Sequence, residues 1–127
     1  MFLPDGDYAV TLDEDWVIGE LSVGVGATLK LALPRSKGML PPTPLTVLNG
    51  IDAAATAGLA LEAKEFNKEH HDERFALIEC GSDSTVALQT LANSLNASLG
   101  RNCTAVEDGT RLVYIAPARP GLIISVQ

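Results

Sequence analysis

The chain has few aromatic residues and no run of basic ones, and both shortages limit what it can bind. Its 127 residues include three Phe, two Tyr and one Trp, which leaves few rings to stack on single-stranded nucleic acid. Sixteen acids against nine bases give a formal net charge of −7. Such a field repels a phosphate backbone unless basic residues cluster, and here they are scattered. Nucleic-acid binding is therefore disfavoured.

Long apolar runs are also missing, and there are only two cysteines. No run approaches the ~18 residues of a membrane-spanning helix, and the first residues have neither the basic nor the apolar part of a secretory signal. Cys80 and Cys103 are too few for a disulfide scaffold. We expect a protein that is cytoplasmic or part of a virion, not secreted, not bound to a membrane, and with reduced thiols.

The length and composition predict one folded domain over residues 1–127. Hydrophobic residues make up 46% and charged residues 20% of the chain, which is enough to form a packed core. The clearest local pattern is a strand, turn and helix over residues 75–100. Leu88 and Leu95 lie on one helical stripe, Ser82 or Asp83 suits the helix start, and Gly100 suits its end.

The other secondary-structure patterns favour an antiparallel sheet. Alternating apolar and polar positions in residues 1–33 predict a three-stranded meander. Apolar spacing predicts a second helix from Asn49 or Asp52 to about Arg74. Asp108-Gly109 is typical of a two-residue hairpin turn, and residues 122–126 read as a final strand. The order β-β-β-α-β-α-β-β-β predicts an α+β fold, with a mostly antiparallel sheet and two helices.

Residues 34–48 form a proline-rich connector within this domain. Four of the seven prolines lie there, and each removes a backbone donor. A stiff crossover from sheet to helix is one interpretation; an arm that contacts another subunit is a second, and an SH3-type ligand a third. The final strand either closes the sheet edge or pairs with a neighbouring chain. The predicted interface residues are Pro41, Pro42, Pro44, Leu122, Ile123 and Ile124.

One candidate site for chemistry lies where Cys80 precedes a helix start. The free N–H groups there could bind an anion, with Gly81, Ser82 and Ser84 as the binding residues. A catalytic thiol at Cys80, with His70 or His71 as its base, is a further alternative. An ordinary buried cysteine followed by a helix cap explains the same residues.

Neither the histidines nor the acids predict a metal site. Adjacent histidines on a helix project about 100° apart, and the calcium-loop spacing is absent from the acid-rich first twenty residues. Those acids suit solvated turns and guarded strand edges, or a basic partner. We expect no metal and no other cofactor.

These patterns together favour a non-enzymatic structural or assembly subunit that acts through protein–protein contacts. The missing catalytic motifs, the proline-rich connector and the apolar final strand support a homo-oligomer or a multi-protein assembly. A virion component, in a capsid, neck or tail, is one such role. The alternatives are a small regulatory domain that binds a ligand or anion, and an enzyme that depends on Cys80.

Overall fold

The chain winds through three successive coils, each containing three short strands. A computed structural model describes residues 1–34 and 42–118. The strands of the first coil are β1 (Phe2–Leu3), β2 (Gly6–Thr11) and β3 (Trp16–Ile18); those of the second are β4 (Leu21–Val23), β5 (Ala27–Ala32) and β6 (Leu45–Val47); those of the third are β7 (Ile51–Ala53), β8 (Gly58–Glu62) and β9 (Arg74–Cys80). A short helix, α1 (Lys64–Asn67), lies between β8 and β9.

Each strand pairs in parallel with its counterpart in the next coil. The result is three sheets, with orders β1-β4-β7, β2-β5-β8 and β3-β6-β9. The third sheet continues through an antiparallel hairpin, β11 (Arg111–Ile115) and β10 (Thr104–Glu107), which pairs with β9. The architecture is a three-coil parallel β-solenoid extended by one hairpin.

The core lies inside the coils, between the three sheets. In β5 the side chains alternate, so that Leu29 and Leu31 are fully buried while Lys30 faces solvent. Leu59 lies beside Leu29 in the third coil and is equally buried. Parallel pairing in register therefore stacks apolar side chains in columns that run from coil to coil.

The helix after β9 is confirmed and covers one end of the solenoid. Helix α2 (Thr85–Leu99) buries Leu88, Leu91 and Leu95 on one face. Gly100 has a left-handed φ of 70°, and its N–H bonds to the carbonyl of Asn96, which satisfies a helix-terminal acceptor. The helix packs across β7 and β8 of the third coil.

The predicted α+β fold with a mostly antiparallel sheet and two helices is wrong. The protein is mostly β, with parallel pairing in all three sheets. The predicted meander does not form, because β2 pairs with β5 of the next coil and not with its neighbours in sequence. Short strands separated by turns look alike in an antiparallel meander and in a solenoid, and only the long-range partner distinguishes them.

The predicted helix from Asn49 or Asp52 to Arg74 is also wrong. This stretch contains β7, β8 and the four-residue α1. Its alanines favour a helix locally, but Leu59 and Leu61 alternate in a period of two and continue the columns begun by β5. Burial against an existing sheet edge outweighs the intrinsic preference, as is common for strands.

The hairpin predicted at Asp108-Gly109 forms, with three residues between the paired strands instead of two. Both turn residues have positive φ, 56° and 68°, as the primed turn requires. Glu107 faces Arg111 in the ladder, because Thr110 is an extra residue whose carbonyl accepts a hydrogen bond from the N–H of Cys80 at 2.8 Å.

Two predicted segments lie partly or wholly outside the described residues. The connector over residues 34–48 contains β6, and its residues 35–41 lie outside the described residues. The predicted strand over residues 122–126 also lies outside them.

Candidate functional site

The two ends of the solenoid differ in what covers their strand edges. At the third coil, α2 supplies partners for free backbone groups. The N–H of Ile51 in β7 donates to Ser84 Oγ at 2.9 Å, and the N–H of Leu59 in β8 donates to Ser94 Oγ at 3.1 Å. The serine hydroxyls thus replace the next strand that a solenoid would otherwise require. We call this the capped end.

The first coil forms the other end and has no such cover among the described residues. There β1, β2 and β3 are each the outermost strand of their sheet. We call this the open end: the outer edges of these three strands and the cavity between them. A terminal coil of a solenoid ordinarily needs a polar or covered outer surface.

A mostly apolar cavity of about 380 Å³ opens at this end. Its floor is formed by the second-coil residues Leu21, Leu29 and Leu45. The first-coil residues that line the cavity are Met1, Leu3, Asp7, Tyr8, Ala9, Val10, Trp16 and Ile18. Tyr8 and Val10 are only half-buried although the leucines stacked beside them in β5 are fully buried. The columns of apolar side chains therefore end at the first coil, where no described residue covers them from outside.

The backbone of β2 directs hydrogen-bonding groups towards this outer edge. Leu12, just after the strand, donates its N–H to Ala32 at 2.9 Å. In a parallel ladder, every second residue of a strand bonds to the same neighbouring strand. Ala9 and Thr11 therefore direct their backbone N–H and C=O groups away from β5. The indole N–H of Trp16 donates to the Thr11 carbonyl at 2.9 Å, which agrees with this direction. The outward groups of Ala9 have no described strand to pair with.

Exposed apolar side chains accompany the free edges. Phe2 in β1 is 63% exposed, Val17 in β3 is 55% exposed and Trp16 is 39% exposed. Phe2 also borders two shallow grooves along the outer face of the first sheet. Exposed apolar side chains beside unpaired strand edges are typical of interaction surfaces.

The rim of the open end is acidic. The first twenty residues, which include the first coil, carry six exposed carboxylates, of which Asp7 lines the cavity, and no basic side chain precedes Lys30 in the sequence. These acids are Asp5, Asp7, Asp13, Glu14, Asp15 and Glu20. Within residues 1–34 and 42–118, none of the six forms an ion pair. Their charges are therefore not paired with any described basic side chain.

No family model, curated protein or solved structure matches this chain.

The sequence-predicted thiol and imidazole candidates are kept apart by β9. His70 precedes this strand and Cys80 ends it, and its seven residues span about 20 Å at ~3.3 Å each. The Cys80 thiol donates to the carbonyls of Ser82 and Thr110 at 3.5 and 3.3 Å. His71, next to His70, lies at the same distant end of the strand. The structure thus gives a Cys–His arrangement no support.

His70 has a structural environment that the sequence did not reveal. It is 5% exposed and stacks on Phe66, with ring centroids 4.2 Å apart, and it meets Phe75 edge-on. Its Nδ1 lies 2.5 Å from Glu73 Oε2. Across the part of the chain that the structure describes, no three metal-ligating side chains converge. His70 therefore lies in an aromatic cluster, and the helix predicted to carry the two histidines does not form there.

The residues of the anion hypothesis lie at the start of α2, where another group already occupies the helix terminus. Asp83 Oδ1 accepts the Thr85 N–H at 3.1 Å and the Thr85 hydroxyl at 2.6 Å, and these bonds lower the pKa of Asp83. Ser84 Oγ is turned to Ile51 and donates to the Ser82 carbonyl at 3.1 Å. Gly81 N–H bonds to the carbonyls of residues 47 and 49. An anion at this site would meet a carboxylate, and the hypothesis stays a prediction without geometric support.

The predicted interface residues divide into two groups. Pro42 is buried and Pro44 is half-buried within the chain, so neither projects as a free arm. Pro41, Leu122, Ile123 and Ile124 lie outside the described residues. Sequence reasoning missed the open end, because its residues are brought together by pairing between coils. The one signal that pointed to it was the cluster of acids without a base.

Of the described helices, neither is long and apolar enough to cross a membrane.

Proposed function

We propose that this protein is a structural or assembly subunit that acts through protein–protein contacts at the open end of its solenoid. The observation that supports this most directly is the asymmetry of the two ends. At the third coil, α2 packs on β7 and β8, where Ser84 and Ser94 each accept one strand N–H, and the hairpin pairs with β9. The first coil leaves three edges and an apolar cavity uncovered by described residues. A free edge and an apolar surface stabilise a complex when a partner covers them.

The exposed apolar residues at this end are suitable contact residues. Phe2 and Trp16 are aromatic, and such side chains supply much of the binding energy in protein interfaces. The partners are copies of the chain or companion proteins, in a homo-oligomer or a multi-protein assembly. A virion is one setting in which such a subunit works, and a cytoplasmic complex is another.

The test is the assembly state of two matched variants. Phe2→Ala removes an apolar side chain that is 63% exposed at the open end, and Val86→Ala removes one that is 80% exposed on α2. Neither truncation opens the core. We expect the unmodified chain to sediment as a defined oligomer at micromolar concentration, and Phe2→Ala to weaken association by about tenfold or more, as truncation of a contact aromatic does.

Val86→Ala should associate as the unmodified chain does. A monomer at all concentrations, with no companion protein bound at the open end, would contradict the proposal. An equal loss of association in both variants would place the contact elsewhere on the surface.

A further inference from the structure

The open end combines three features that define the chemistry of its partner: a strand edge, an apolar cavity behind it and an acidic rim. We propose that it binds an extended segment of another chain, apolar in its centre and flanked by basic residues, which adds as a strand to the outer edge of β2. This inference rests on the proposed function and names the partner of the same surface.

The strand edge supplies the backbone half of this recognition. β2 is six residues long and pairs with β5 along its whole length, so its other edge has no described strand beside it, and only the outward carbonyl of Thr11 is occupied, by the Trp16 indole. Ala9 directs its N–H and C=O outward, and its side chain is small and exposed. Main-chain hydrogen bonds to such an edge give affinity without selecting a sequence.

The cavity supplies the apolar half. Strands stack about 4.8 Å apart, so alternate side chains of an added strand would lie over Tyr8 and Val10. These two half-buried residues line the cavity, whose floor is the buried leucines of the second coil. An incoming strand with apolar side chains at every second position would therefore complete the columns that run through the solenoid.

The acids determine the charge of the partner. Asp5 and Asp7 lie at the start of β2, and Asp13 and Glu14 follow its end. A strand that carries bases at both ends would place them against these carboxylates, and complementary charge also accelerates association. Two open ends facing each other would instead bring the acid-rich first coils of two copies together. The surface thus disfavours its own copy in a head-to-head arrangement and favours a basic segment.

Binding can be measured with the single tryptophan of the chain. Trp16 lines the cavity, so its fluorescence reports on occupancy. The probe is a synthetic peptide with a centre that alternates Ile or Val with Thr, and with two lysines at each end. One control peptide has glutamates in place of the lysines, and another has N-methylated amides in its centre.

We expect a saturable fluorescence change with the lysine-ended peptide, about tenfold or more tighter than with the glutamate-ended one and weakened by salt. The N-methylated peptide should bind weakly because it lacks donors for the strand edge. In the protein, Ala9→Pro removes an outward N–H while the bonds to β5 stay, and should abolish binding. Ala9→Ser keeps the N–H and should bind normally.

A second variant does not depend on proline in the strand. Replacing Asp7 and Asp13 together by lysine leaves the backbone intact and should reverse the preference, so that the glutamate-ended peptide binds better. Equal affinity for the two peptides, or no fluorescence response to either, would overturn the inference. So would binding that is seen only after residues 119–127 are deleted, since the chain's own segment would then compete for the site.

A peptide with the sequence of residues 119–127, which contains one base and no acid, asks whether the partner strand comes from another copy. Because this segment has a base at one end only, binding as tight as that of the lysine-ended peptide would overturn the inference, whereas weaker binding or none supports a separate partner with bases at both ends. A chain that forms oligomers but binds none of the peptides refutes the strand inference alone. Peptide binding by a chain that forms no assembly with copies or companions refutes the proposed assembly role alone.

Discussion

Replacing Ser84 by alanine tests whether α2 caps the solenoid. Ser84 is 6% exposed and Ile51 is 7% exposed, so the hydrogen bond of 2.9 Å between Ile51 N–H and Ser84 Oγ is shielded from water. The Ser84 side chain makes no cap hydrogen bond to its own helix. Its loss would therefore act on the edge of β7 and on the turn at Ser82, whose carbonyl accepts from the same hydroxyl at 3.1 Å, and not on the N–H groups of the helix. An unsatisfied buried donor costs about 1–3 kcal/mol.

The expected order of destabilisation follows the burial of each hydroxyl. Ser94→Ala breaks a bond of 3.1 Å at a half-buried residue, where water can replace the lost acceptor, so we expect about 0.5–1.5 kcal/mol. Ser82→Ala is the matched control, because Ser82 is exposed and bonds through its carbonyl.

Urea unfolding followed by circular dichroism measures these differences. The slope of stability against urea is about 1–3 kcal/mol/M for small proteins, so Ser84→Ala should lower the midpoint by roughly 1 M. The Ile51 amide should also exchange its proton faster with solvent. Equal midpoints for Ser84→Ala and Ser82→Ala, together with unchanged exchange at Ile51, would refute the capping role.

Two further predictions concern titration. Burial raises the pKa of the Cys103 thiol, and Arg101 offsets this only in part, so a thiol reagent at neutral pH should label half-buried Cys80 first. The pKa of Cys103 is higher in the folded than in the unfolded chain. Its contribution to stability is therefore complete below the unfolded pKa and is lost as pH rises through the folded pKa. A Cys103→Ala variant that loses the same stability at alkaline pH would contradict this. Asp83 has a lowered pKa because Thr85 donates to it, so its contribution to stability is present above the ordinary pKa of an aspartate and disappears as pH falls through the lower, folded pKa. Asp83→Asn should remove that acid dependence, and an Asp83 carboxyl that titrates normally by NMR would refute it.

The two cysteines show what sequence spacing leaves open. Cys80 bonds to Thr110 at the start of β11, and the Cys103 carbonyl bonds to Ile115 at its end. The two positions are about 16 Å apart along the strand at ~3.3 Å per residue, well beyond the reach of a disulfide. Both cysteines are free, which is consistent with the expectation of reduced thiols. The reason is their separation along β11, which only the sheet register reveals.

The sequence by itself determined the local structure in which nearby residues decide the conformation. Helix α2, its left-handed Gly100 and the turn at Asp108-Gly109 depend on spacing and on residues that tolerate positive φ. The tertiary structure alone decided which strands pair. Leu59 reads equally well as part of a helix stripe, and only β5 makes it a strand residue.

The candidate site follows the same division. The sequence showed a cluster of acids but not where in the fold they lie. The open end exists only because three strands of the first coil lack described neighbours on one side. Parallel pairing joins residues that are far apart along the chain, and its connecting segments differ in length, so no fixed period marks the coils. Local preference therefore determined the helix and the turns, whereas burial across coils determined the architecture and its open end.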